Sequence, residues 1–149
     1  NTKATIDRLL FDSNYVMPSV AAKPIENANK RTIMVVDDNE SLRRFTAMLL
    51  EKQGFDVVQK EDGQQALDAL DSEAIDLVLM DIEMPIMDGV EASRLIRSAN
   101  KPYSSVPIIA HTGDSSPVTL ERMESSGMSD FIVKPADKNR LFDKIAHWI

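Results

Sequence analysis

The sequence predicts an α/β fold, a doubly wound five-stranded parallel sheet, and three observations carry that prediction. Short apolar runs alternate with amphipathic helical stretches five times after residue 30. Four of the runs end in polar residues: 33–36 at Asp37-Asp38, 77–80 at Asp81, 106–110 at His111-Thr112, and 131–133 at Lys134. The runs at 77–80 and 106–110 are apolar on both faces, as central strands of a parallel sheet must be, whereas 55–59 is apolar on one side and suits an edge. Right-handed crossovers between such units give the strand order 2-1-3-4-5. A parallel sheet collects its strand carboxyl ends along one edge. Asp37, Asp38, Asp81, Thr112 and Lys134 are therefore expected around one crevice, at the switch between strands one and three.

The elements follow in order. Strand one is read as 32–36. The helix after it carries Leu42, Phe45, Leu49 and Leu50 toward the sheet, takes Asp38 or Asn39 as its cap, and is stopped by Gly54. Strand two is 55–59. The second helix begins at Asp62, with Gln65 completing a capping box, and buries Ala66, Leu67 and Leu70. Strand three is 75–80. Its helix starts at Asp88, with Glu91 in the reciprocal position, and buries Val90, Leu95 and Ile96. Strand four is 106–110. Helix four is announced by Ser116 as cap and Pro117 at the first helical position, and ends at Gly127. Strand five is 130–133, and the last helix, capped by Asp137, places Leu141, Ile145 and Trp148 on one face. Residues 1–30, with Pro18, Pro24 and Asn27, Ala28 and Asn29, read as an arm and linker, and 31–149 as one domain. Within the arm, Ile6, Leu9, Leu10 and Phe11 fit one apolar helical turn, a docking contact or the tail of a preceding domain.

Composition narrows the function classes. The 149 residues suffice for one buried core. A net charge of -7 and a pI near 4.8 leave no basic face to neutralise phosphates, so a nucleic-acid groove is not expected. Without cysteine there is neither a disulfide framework nor a thiolate metal site. The apolar runs are too short to span a bilayer and the N-terminus lacks a signal-peptide core, so no membrane contact by this segment is expected. A first residue Asn1 rather than Met suggests a piece of something longer, whose anchor or sensor would lie elsewhere. The eight methionines are scattered and suit core filling.

Each candidate residue also has a bland reading. One acidic residue after a strand is often only a helix cap. Two adjacent aspartates repel each other unless a cation offsets them, which favours a metal role for Asp37 and Asp38. Asp81 closes a buried strand well before the cap at Asp88, so a structural use for its carboxylate is hard to find. Thr112 alone would be a turn hydroxyl and Lys134 alone a solvated lysine; their weight is joint, because each ends a different strand. His111 is expected to point away from the pocket if Thr112 points in, and His147 lies on the last helix.

Several segments now carry a resemblance: Val35-Val36-Asp37-Asp38-Asn39, then Leu79-Met80-Asp81-Ile82-Glu83-Met84-Pro85-Ile86-Met87-Asp88-Gly89, then Ile108-Ile109-Ala110-His111-Thr112-Gly113, then Phe131-Ile132-Val133-Lys134-Pro135. In that order and spacing, residues 32–149 resemble the receiver domain of two-component response regulators, whose fold is flavodoxin-like. The resemblance implies that Asp81 is the phospho-acceptor. It further implies that Asp37 and Asp38 form the acidic pair for Mg²⁺, with Asp81 also a ligand and Glu83 contributing its backbone carbonyl. Thr112 would be the switch hydroxyl, Phe131 the switch aromatic and Lys134 the phosphoryl-pairing lysine, joined to Pro135 by a cis peptide bond. Gly113 departs from the alanine usual in the family; small size is kept, and the loop is freer.

The chemistry implied is transfer from a phosphohistidine on a partner to Asp81, with Mg²⁺ and Lys134 neutralising charge. The face of helix four, strand five and helix five is then rebuilt, and that face is also available for a homodimer. Glu83 and Asp114 flank the route of the water that resets the switch. Expected partners are a histidine kinase or a histidine phosphotransfer domain. The upstream linker and residues 80–97 resemble the C-terminal receiver of a hybrid histidine kinase, cytoplasmic even where the parent is membrane-anchored; a stand-alone regulator binding a target protein is the alternative. The chain is expected to be a signalling acceptor rather than a turnover enzyme. A haloacid-dehalogenase-like phosphatase is a remote rival, because its nucleophile belongs after the first strand in a D-x-D pattern, whereas here Asp37-Asp38 are adjacent and D-x-E follows the third. A pseudo-receiver is disfavoured by the intact acid, hydroxyl and lysine set, and a dinucleotide enzyme by the lack of a Gly-rich turn after strand one.

Overall fold

The computed structural model describes residues 31–149; the arm at 1–30, with its apolar turn at Ile6, Leu9, Leu10 and Phe11, lies outside the described residues. In chain order the elements are β1 (Thr32–Val36), α1 (Glu40–Lys52), β2 (Asp56–Lys60), α2 (Gly63–Ser72), β3 (Leu77–Asp81), α3 (Gly89–Ser98), a 3-10 turn (Pro102–Ser105), β4 (Ile108–Thr112), α4 (Pro117–Ser125), β5 (Asp130–Val133) and α5 (Lys138–Trp148). All strand pairs are parallel and the order is β2-β1-β3-β4-β5, as expected. Alternate strand residues feed two layers. Ile33, Val35, Leu77, Leu79, Ile109 and Ile132 meet Leu50 of α1 and Leu141 and Ile145 of α5. On the other face Met34, Val36, Val78, Met80 and Ile108 meet Ala66 and Leu70 of α2 and Ala92 and Ile96 of α3, and Ala110 meets Met123 of α4.

The helix starts are set by local side chains. Asn39 takes the cap of α1, accepting from the Leu42 amide at 3.0 Å, which leaves Asp38 unused as a cap. Asp62, Asp88 and Asp137 accept from the amides of Gln65, Glu91 and Arg140, each at 2.8 Å, and Ser116 caps α4 ahead of Pro117. The Gln65 side chain bonds the Glu61 amide at 3.1 Å, one residue ahead of the expected capping box. Gly54 and Gly127 stop their helices at φ 103° and 88°.

Three expectations are corrected. Phe45 is 53% exposed; Arg43, Thr46, Ala47 and Leu50 are the buried residues of α1. Arg43 reaches inward because its guanidinium donates to the Asp37 carbonyl at 2.8 Å, and Thr46 and Ala47 are small enough to lie against the sheet. Leu95 of α3 is 39% exposed, since Ala92, Ser93 and Ile96 form its contact face. β4 starts two residues later than read, at Ile108, because Pro107 has no amide for the ladder and the residues before it are wound into the 3-10 turn. Smaller shifts bring Lys60 into β2 and Asp81 into β3.

Arg97, at the end of α3, ties this second face together. Its Nε donates to the Gly127 carbonyl at 2.8 Å, and its terminal nitrogens reach the carbonyls of Ser104 (2.9 Å) and Val106 (2.7 Å) and the Ser129 hydroxyl (3.3 Å).

Candidate functional site

The carboxyl edge of the sheet assembles the charged residues. β1 and β3 are neighbours, Val36 opposite Met80, so Asp37 emerges beside Asp81. Both are buried, while Asp38 is exposed, and one carboxylate oxygen from each of the three lies within 4.8 Å of the others. Asp37 is anchored by the Asn39 amide, which donates to its Oδ1 at 2.9 Å. Lys134 follows β5, its amide donating to the Thr112 carbonyl at 2.7 Å, and the Lys134-Pro135 bond is cis. Its ammonium stands 3.1 Å from Asp37 Oδ2 and 3.4 Å from Asp81 Oδ1. Three carboxylates, one ammonium and no sulfur donor make a hard, oxygen-only set, the kind that suits Mg²⁺ rather than zinc.

Electrostatics single out Asp81. Burial pushes its carboxyl up from 3.8 to about 6, and the negative charges of Asp37 and Asp38 add to this, against the opposing pull of Lys134. The charged form of Asp81 is costly until more positive charge arrives.

Thr112 lies one residue past His111, the β-partner of Asp81, and is buried. Its hydroxyl accepts from the Asp114 amide at 3.0 Å. Asp114 continues this network, accepting from the Ser116 amide at 2.8 Å and the Thr119 hydroxyl at 2.6 Å, bonds that hold its carboxyl below the usual range. Glu83 is exposed and, with Asp38, Met84, Asp88 and Arg122, lines an open cleft of about 390 Å³ beside the acidic cluster. Arg122 of α4 meets Asp88 across that cleft at 3.4 Å. Phe131 is half-buried against Ile82, Val90, Ala110 and Met123, with the Lys144 ammonium 6.0 Å from its ring centre. Beside it, Asp130 accepts from Lys144 (2.9 Å), Trp148 (2.8 Å) and the Phe131 amide (2.8 Å). Burial works to raise the Asp130 carboxyl, but these donors outweigh it and the net shift is downward.

Two residues escaped the sequence reading. Arg43 bonds the carbonyl of Asp37, an anchor that hydrophobic periodicity assigns to solvent. His111 corrects the expectation that it points away from the pocket: as Ile109 belongs to the layer under α1 and α5, His111 continues the same face as Asp81 and Lys134. Burial first, then the Lys134 ammonium, push its imidazole down to about 4, against the pull of Asp37, so it is neutral near pH 7. The signal was available in the alternation from Ile109; the error was to reserve the crevice for the face of Thr112.

The family model of the response regulator receiver domain matches residues 33–146. The chain is similar to the CAI-1 autoinducer sensor kinase/phosphatase CqsS of Vibrio cholerae, 51% identical over 145 residues that cover 97% of this chain and 21% of that protein. That match takes in most of residues 1–30. It is also similar to the sensor protein GacS of Pseudomonas syringae, 38% identical over 118 residues, 78% of this chain and 13% of that protein. The chain thus spans about a fifth or less of the length of these curated relatives. Among solved structures, the receiver domain of the sensor histidine kinase PA1611 from Pseudomonas aeruginosa, described with a magnesium ion coordinated in its active site cleft, superimposes with a TM-score of 0.74. It is 31% identical, over 79% of this chain and 96% of that one. The phosphatase rival, with its nucleophile after the first strand, is not favoured. Because the family match spans all but the outermost described residues and the strand order agrees, the chain belongs to the response regulator receiver domains, the signalling modules of two-component phosphorelays.

Proposed function

We propose that this receiver accepts a phosphoryl group on Asp81 from a phosphohistidine of a partner protein and holds it as an acyl phosphate. The observation that carries the reading is the Lys134 ammonium 3.4 Å from Asp81, at the rim of a cluster of three carboxylates within 4.8 Å. An Asp81 oxygen forms the new bond to phosphorus while the phosphorus–nitrogen bond breaks, and the electron pair leaves with the partner's imidazole. Lys134, held between Asp37 and Asp81, is placed to pair with a phosphoryl oxygen as negative charge gathers there. Asp37, Asp38, Asp81 and the Glu83 carbonyl would hold Mg²⁺, which supplies the remaining charge neutralisation when bound. Thr112 would exchange its bond with the Asp114 amide for one with the phosphoryl group. That exchange frees the start of α4, lets Phe131 turn inward, and rebuilds the face of α4, β5 and α5 as an output or homodimer surface.

The similarity to sensor kinases supports a place within a hybrid histidine kinase; on this reading 31–149 is its C-terminal receiver and 1–30 the linker that leads into it. From there the phosphoryl group would pass to a histidine phosphotransfer domain, on the cytoplasmic side. No helix among the described residues is long and apolar enough to cross a membrane. The test is incubation of the chain with Mg²⁺ and a small acyl phosphate donor, followed by intact mass. The parent should gain one phosphoryl group and Asp81→Asn none; equal gain by both would overturn the assignment.

A further inference from the structure

Asp81 and His111 are directly paired across β3 and β4, and His111 is paired with Ile132 of β5. Leu79, Ile109 and Ile132 lie in the layer under α1 and α5, so Asp81, His111 and Lys134, each two residues further on, continue that face, as Asp37 continues Val35. Asp37, Asp81 and His111 therefore stand level on that face, and Lys134 stands two residues beyond them, past Ile132. Neighbouring strands are about 4.8 Å apart, and Lys134 starts beside β4 on its far side from Asp81. Since its ammonium nevertheless sits 3.4 Å from Asp81 and 3.1 Å from Asp37, its side chain crosses β4 on a diagonal from beside Gly113, which has no side chain, toward the level of His111.

We propose that His111 is a positioning residue, its ring the floor that carries the Lys134 side chain across β4 so that the ammonium lands between Asp37 and Asp81. This rests on the reading of Asp81 as phosphoryl acceptor. The residue is 7% exposed, so its ring is held in place on this face by its surroundings. It is not a metal ligand: the cluster of ligand atoms within 4.8 Å comprises Asp37, Asp38 and Asp81 and leaves His111 out. A methyl group in its place would leave the lysine stem unsupported, whereas a neutral planar amide of similar reach would hold it.

The experiment uses the full chain, its His111→Ala and His111→Gln variants, and Asp81→Asn as control. Four quantities are read: the rate of phosphoryl uptake from a small acyl phosphate at saturating Mg²⁺, the Mg²⁺ affinity, the urea midpoint, and the Lys134 ammonium resonance in ¹H–¹⁵N spectra without phosphodonor. His111→Ala should slow uptake by about ten- to a hundredfold, since a misplacement of about 1 Å can cost about a hundredfold in rate. Mg²⁺ affinity should stay unchanged and the ammonium resonance should move, with His111→Gln restoring both rate and resonance. Uptake by His111→Ala at the parent rate, a loss matched by the fall in stability or Mg²⁺ affinity, or an unmoved resonance would overturn the proposal. If the parent itself gains no phosphoryl group, the acceptor reading fails, and the ammonium resonance alone decides the role of His111.

Discussion

A methyl group added at Gly89 has no room, and the atoms in its way belong to Asp81 itself. Gly89 opens α3 and donates its amide to the Ile82 carbonyl at 2.8 Å. A Cβ there would overlap the Asp81 carbonyl oxygen and stand 2.9 Å from Met80 Cγ and 3.0 Å from the Asp81 carbonyl carbon. Neither obstacle can yield cheaply: Met80 is fully buried, and Asp81 ends a strand paired on both sides of the sheet centre. Overpacking a core costs about 1–3 kcal/mol, and a backbone obstacle puts Gly89→Ala at the upper end. Alanine also stiffens the unfolded chain, which returns about 0.4–1 kcal/mol, leaving a net loss of about 2 kcal/mol. With a urea slope of about 2 kcal/mol per M for a domain of this size, the midpoint should fall by about 1 M. Gly113→Ala is the matched control, for nothing lies within 4 Å of its added methyl and its φ is outside the left-handed region. That variant should unfold at or slightly above the parent midpoint. Under conditions where both remain folded, Gly89→Ala should also take up phosphoryl more slowly, because the strained carbonyl belongs to Asp81, the proposed acceptor. An unchanged midpoint for Gly89→Ala, or equal shifts for the two glycine variants, would refute the reasoning.

Three further outcomes are expected. Arg97→Met removes bonds to the carbonyls of Gly127, Ser104 and Val106 and should cost on the order of 3 kcal/mol, read as a lowered urea midpoint with unchanged Mg²⁺ affinity. Without metal, the stability that Asp81 contributes should be whole below pH 3.8, since the folded carboxyl binds its proton more tightly than the unfolded one, and lost as pH rises through about 6. Thermal unfolding across that window should show the slope in the parent, lose it in Asp81→Asn, and lose it again when Mg²⁺ supplies a counter-charge; superimposable profiles for parent and variant would contradict the raised carboxyl. Phe45 and Met48 stand exposed on α1, the helix that starts beside Asp38. Phe45→Asp should change stability by no more than about 0.5 kcal/mol, yet slow transfer from a phosphohistidine protein while uptake from a small acyl phosphate is unaffected.

The parts of this molecule that were legible in its sequence are those fixed by short-range chemistry. An apolar run that stops at an aspartate or lysine marks a strand end, and the run at Asp130–Val133 became β5 with those bounds. A capping side chain three residues ahead of its partner amide marks a helix start, and Asp62, Asp88, Ser116 and Asp137 all serve as read. What escaped depends on groups distant along the chain or on how closely two elements approach. Periodicity sends Arg43 to solvent and Phe45 to the core; the order is reversed because the guanidinium finds the Asp37 carbonyl, a partner that no helical pattern announces. Leu95 lost its place to Ala92 and Ser93, whose small side chains let α3 approach the sheet and so rotate the contact stripe. His111 is the more instructive case. Alternation along β4 correctly separates it from Thr112, but alternation is blind to which face holds the lysine that ends the next strand. That assignment needs the order β3-β4-β5, since only when β4 lies between Asp81 and Lys134 does the lysine have to cross the strand that carries His111 to reach the carboxylate. Strand order thus turns an unremarkable histidine into the partner of Asp81 across β3 and β4, and the sequence could state the order without stating which side chains it sets side by side.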